Sequence, residues 1–206
     1  GRDVYAAARV AQIMLYAGVK DVRILDGGWK AWSDAGLPVE RGMPKDVKPA
    51  PDFGAPIPGQ PQLMVDMAQA RGMLHRQDAS LVSIRSWPEF IGETSGYSYI
   101  KPKGEIAGAR WGHAGSDATH MEDFHNPDGT MRSADDIAAM WKTWNILPEQ
   151  HVAFYCGTGW RASETFMYAR AMGWKNVAVY DGGWYEWSSH PQNPVSSGKR
   201  GPESSR

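Results

Sequence analysis

The 206-residue chain reads as an α/β protein in which a parallel sheet is flanked by helices, with one complete unit preceded by the closing part of another. Three observations predict this. Short apolar runs of strand length alternate with segments of helical period, the pattern of a parallel sheet covered on both faces. A thirteen-residue segment, Lys20 to Trp32, recurs as Lys175 to Trp187 at a constant offset of 155 (181 − 26). Between the copies, prolines at 38, 44, 49, 51, 56, 58 and 61 interrupt any apolar periodicity.

The same offset pairs Ala7 with Ala162, Gly18 with Gly173 and, at its far end, Gly1 with Cys156. Each copy reads as a helix closed by glycine, a short apolar strand, then Asp-Gly-Gly-Trp turning into a further short helix. Residues 1–40 are therefore the end of one unit, and 41–60 an extended, semi-rigid linker. Residues 61–198 form the whole of a second unit, and 199–206 a tail. Within that unit Asp66 and Gln69 make a capping box that opens a helix toward His75, and Leu81-Val82-Ser83-Ile84 is a strand. Ser133 caps a helix carrying Ile137, Met140, Trp141 and Trp144, ended by Pro148. Val152-Ala153-Phe154-Tyr155 is a buried strand that leads through a glycine-rich turn into a helix with Ala162, Phe166 and Ala169 on one face. A ligand site belongs at the carboxyl ends of such strands.

Composition narrows the partners. A net charge of −1 gives no basic face for nucleic acid, and no apolar run approaches the roughly 18 residues of a membrane span. One cysteine excludes an internal disulfide and any cysteine-rich metal site. The six histidines show no metal-binding spacing. The cluster from His120 to His125 reads as a polar loop before the turn Asn126-Pro127-Asp128-Gly129.

That single cysteine carries the chemistry. Cys156-Gly157-Thr158-Gly159-Trp160-Arg161 follows a buried strand and opens a helix, so backbone N–H groups and the positive end of the helix dipole converge on an anion. The field favours the thiolate, which is the attacking form, and Arg161 adds a fixed charge with a fork of donors. A merely packed cysteine needs none of these neighbours.

The segment resembles the active-site loop of the rhodanese family of sulfurtransferases, over 61–198 as one domain and 1–40 as the end of another. Further matches are Leu81 to Arg85 with Glu89-Phe90-Ile91-Gly92, Gly104 to Ala109, and Val179 to Trp184. Length and ending are closest to tandem thiosulfate or 3-mercaptopyruvate sulfurtransferases, and to a bacterial multidomain type. In related phosphatases the arginine stands six positions after the cysteine, whereas Arg161 stands five after Cys156 (161 − 156), and Tyr155 replaces their usual histidine. The tighter loop suits a sulfur atom.

The resemblance implies a Cys156 persulfide formed from a small anionic donor and passed to cyanide, a thiol or a protein cysteine, with no metal or organic cofactor. It implies Arg85 beside Arg161 as a donor-binding residue, an ion pair of Arg85 with Glu89 being the alternative. Two departures stand out: Ser83 where most members have aspartate, and Glu105 where histidine is common. Trp160 replaces a small side chain, either walling the pocket or simply covering the loop. Gly1 at the cysteine position makes the first unit inactive and suggests a longer protein with an upstream segment. A partner-binding or sulfur-relay module without small-donor turnover is the competing reading. The compartment stays open; the resemblance favours the periplasm, with the cytoplasm as the alternative.

Overall fold

The computed structural model describes residues 4–42 and 48–202. Gly1 lies outside them, as do residues 43–47 of the linker and 203–206 of the tail.

Strand β1 (Met64–Val65) begins the sheet, and Asp66 then opens α3 (Met67–Met73) with both bonds of its capping box to Gln69 formed. The helices before it are α1 (Val4–Ala17) and α2 (Gly28–Asp34). The chain continues through β2 (Ala79–Ser83), α4 (Trp87–Phe90), β3 (Glu105–Ile106) and β4 (Arg110–Trp111). Then come α5 (Ala134–Lys142), β5 (His151–Tyr155), α6 (Trp160–Ala171), β6 (Val177–Tyr180), α7 (Gly183–Ser188) and β7 (Val195–Ser196). Ser133 caps α5 through the Asp136 N–H, and that helix ends at Lys142, before Pro148.

The main sheet runs β1-β6-β5-β2-β4, every adjacent pair parallel; β3 and β7 pair antiparallel apart from it. Alternating side chains feed two cores, as a sheet covered on both faces requires. Val82, Phe154 and Val179 pack with Trp141 and Phe166 on the α5/α6 side. Leu81, Tyr155 and Tyr180 pack with Trp184 and Trp187 on the α7 side. Trp141, Trp184 and Trp187 are fully buried; truncating any of them costs about 3–5 kcal/mol.

The first copy departs from expectation. α1 lies along α6, burying Ala8, Ala11 and Leu15, and Gln60 ties the linker to it through the Tyr16 and Leu15 carbonyls. Residues 21–25, however, form no strand, although Val177–Tyr180 at the same offset do. A strand is defined by its ladder partner, and among the described residues none lies beside 21–25.

Candidate active site

Strand β5 ends at Tyr155 and delivers Cys156, which is 1% exposed, into a loop that ends at Gly159, the N-cap of α6 with φ 83°. No side chain caps α6, so its first-turn N–H groups keep the anion-binding capacity of an open helix terminus. The loop carbonyls are held from the other side. The N–H of Trp184 donates to Cys156 O at 2.8 Å and that of Tyr185 to Gly157 O at 3.0 Å. This explains the repeated Asp-Gly-Gly-Trp: a Cβ at Gly183 would stand 2.5 Å from Cys156 O, and φ there is 53°. With its carbonyls tied to α7, the loop can turn its N–H groups toward the sulfur.

Arg161 does not stand free. Its guanidinium, 2% exposed, grips the Glu89 carboxylate with two parallel bonds of 3.0 Å and donates at 3.3 Å to Asp117 O. Nη2 also donates to the Tyr97 hydroxyl at 2.6 Å, while Nε is buried without a protein acceptor. Burial alone would raise the Glu89 pKa, but the charge and hydrogen bonds of Arg161, with Arg85 behind them, hold it below its ordinary value. Ser86 completes the cage, its N–H and hydroxyl both donating to Glu89.

Arg85 is placed similarly. Fully buried, it donates to Gly104 O at 2.7 Å and Ser95 O at 3.1 Å, and pairs with Glu105 at 3.3 Å and Glu89 at 3.4 Å. The pairing with Glu89 weighed at the sequence level therefore forms, but in the interior and not as an exposed contact. The two departures at 83 and 105 prove to be one. Ser83 donates to Glu105 Oε2 at 2.6 Å, so the carboxylate absent from position 83 is supplied from position 105. The Tyr155 hydroxyl also bonds Glu105, and burial followed by that carboxylate raises its pKa well above the ordinary value.

Of the remaining predicted residues, Thr158 is half-buried and Gly157 buried, while Trp160 is 47% exposed on the outer edge of the loop. Sequence reasoning missed Tyr97, which bonds the Gly157 N–H at 3.1 Å from 60 residues away. Only its aromatic company with Tyr99 in a glycine- and serine-rich stretch marks it in the sequence. Among the described residues no group of three or more histidine, cysteine, aspartate or glutamate side chains could hold a metal ion, and no helix is long and apolar enough to cross a membrane.

A protein-family profile described as Rhodanese-like domain matches residues 66–190. The chain is 86% identical over 206 residues to the thiosulfate sulfurtransferase YnjE of Escherichia coli (strain K12), covering 100% of this chain and 47% of that protein. The crystal structure of YnjE superposes with a TM-score of 0.97, over 100% of this chain and 50% of that one. A complex of EanB with hercynine superposes with a TM-score of 0.90 at 51% identity, covering 95% and 45% of the two chains. The sulfur carrier protein TtuD of Thermus thermophilus is 27% identical over 188 residues, 89% of this chain and 64% of that protein. The chain spans less than two thirds of the length of these relatives.

Proposed function

Because the chain belongs to the rhodanese-like domain family, we propose that it is a sulfurtransferase that carries a sulfane sulfur as a persulfide on Cys156. The observation that carries this reading is the placement of that cysteine between β5 and the uncapped N-terminus of α6. The Cys156 thiolate attacks the outer sulfur of thiosulfate; the donor S–S bond breaks and sulfite leaves with the electron pair. With 3-mercaptopyruvate the carbon–sulfur bond breaks, and pyruvate leaves once a proton has been taken up. Cyanide, a thiol or a protein cysteine then attacks the terminal sulfur and the Cys156 thiolate departs. Every redox change stays within sulfur and carbon bonds, so the residues named suffice without a cofactor.

The loop N–H groups cradle the loaded sulfur. Gly157, Thr158 and Gly159 shape that cradle, and Arg161 offers its unsatisfied Nε to the donor anion. Arg85 acts as a positioning residue, fixing Glu89 and through it Arg161. The exposure of Trp160 at the rim supports a role in meeting the acceptor. A preceding segment of the same polypeptide completes the first unit, as the length of the relatives supports.

Incubation with thiosulfate or 3-mercaptopyruvate followed by intact mass tests the reading. One added sulfur, absent from Cys156→Ser, together with thiocyanate formation from cyanide, is the expected result; no adduct with either donor defeats it. The relay reading, to which the name of TtuD lends support, predicts loading from a protein persulfide and negligible turnover with cyanide.

A further inference from the structure

Two of the donors that an anionic substrate could use, the Gly157 N–H and Nη2 of Arg161, are already in use, while Arg161 Nε is left without a protein acceptor. Tyr97 reaches the loop from residues 92–99, and its hydroxyl oxygen accepts both the N–H of Gly157, the residue after the cysteine, and Nη2 of Arg161. The Arg161 guanidinium carbon lies 5.6 Å from the center of the tyrosine ring. The ring sits so close that a Cβ on Gly157 would meet its Cζ at 2.4 Å. A phenol oxygen accepts about two hydrogen bonds, so its acceptor capacity is filled.

Local charge sharpens this picture. Around Cys156 the cations Arg85 and Arg161 are matched by the carboxylates Glu89 and Glu105, leaving no surplus positive charge for a dianion. Burial, then the charge of Cys156, raises the Tyr97 pKa far enough to keep the phenol neutral at physiological pH.

We propose that Tyr97 is a specificity-determining residue for the sulfur donor, its hydroxyl occupying in the resting protein the hydrogen-bonding position that a donor's anionic group must take over. This rests on the sulfur-transfer reading of Cys156. Displacement is sterically open. Tyr97 is only half-buried, and a cleft of about 530 Å³ adjoins it between residues 94–97 and 116–119. A dianion such as thiosulfate must expel the phenol without a net countercharge. A donor whose charge sits on a carboxylate remote from its sulfur, such as 3-mercaptopyruvate, can leave the phenol in place. Tyr97 thus tilts the site away from thiosulfate.

The Tyr97→Phe variant keeps the ring against Gly157 and Tyr99 and removes only the oxygen. Its kcat/KM for thiosulfate, divided by that for 3-mercaptopyruvate, should rise roughly three- to tenfold over wild type through a lower KM for thiosulfate, the scale of one net hydrogen bond. A ratio that stays level or falls overturns the proposal; a fall in kcat with both donors makes Tyr97 a hydrogen-bonding partner of the reacting sulfur instead. Protection of Cys156 from iodoacetamide by sulfite needs no turnover. It should appear at several-fold lower sulfite in Tyr97→Phe than in wild type, and equal protection overturns the assignment. Failure of wild-type Cys156 to take up sulfur from either donor tells against the sulfur-transfer reading, while the sulfite comparison still decides the role of Tyr97.

Discussion

Glu89 stands between two buried guanidinium groups, and removing its charge would leave Arg161 without its carboxylate while Arg85 keeps Glu105. Breaking such a pair from one side costs about 3–5 kcal/mol, so Glu89→Ala should lose stability on that scale in denaturant unfolding. The pH dependence follows from the depressed pKa of Glu89 in the folded chain. Its contribution is fully present above the ordinary carboxylate value of about 4.3 and is lost as pH falls through the lower folded value. Acid unfolding of wild type should therefore steepen below about pH 4, and Glu89→Gln should flatten that limb. Cys156 and Arg161 are legible in the sequence because six consecutive residues hold them both. The partners of Arg161 are not, since Glu89 is 72 residues away and Tyr97 is 64 away. No local pattern records that the Arg85 carboxylate has moved from position 83 to 105; it appears only when the fold brings Ser83 against Glu105.

At the scale of elements, β5 follows its apolar run because it is buried in the middle of the sheet. Helix α6 buries Ala162, Phe166 and Ala169 as its sequence pattern expects, while α1 packs against it and further polar residues of α6 are buried as well. The strand expected in the first copy fails for the complementary reason: Val22 to Leu25 have the right side chains and no ladder to join. The connection from β6 to α7 bears on function most directly. A Gly183→Ala substitution puts a side chain into a left-handed position, at about 1–3 kcal/mol, and against the Cys156 carbonyl as well. Sulfur loading in that variant, followed by intact mass, should fall more steeply than thermal stability, since the displaced carbonyl carries the cysteine loop with it.

Across the whole molecule, the repeat turns exposure into a measurement. Leu25 and Trp29 are 52% and 49% exposed, whereas their counterparts Tyr180 and Trp184 are fully buried. In a longer chain carrying the rest of the first unit, Trp29 should become buried, and its fluorescence should shift to the blue relative to the 206-residue chain. A pH-dependent pair lies within the second unit, near its seam with the first. His125 bonds Glu164 at 2.5 Å, and that bond raises its pKa, with Asp26 of the first copy adding to the effect. A raised histidine pKa stabilises the fold fully below about pH 6.5, and the contribution is lost as pH rises through the folded value. Thermal midpoints should fall from pH 6 to pH 9 in wild type and change less in His125→Gln.

The repeated aspartate has a consequence for how the two halves can diverge. Asp181 pairs with Arg9 of the first copy, while its counterpart Asp26 accepts the Met131 N–H of the second. One ancestral position thus serves as a clasp twice, each time on the opposite copy. The position that matches Arg9 in the second copy is Glu164 (9 + 155), so one clasp is closed by a permanent cation and the other by a backbone N–H. Duplication left a seam that is symmetric in address and asymmetric in charge. Neither half can drift at that aspartate without loosening its sibling.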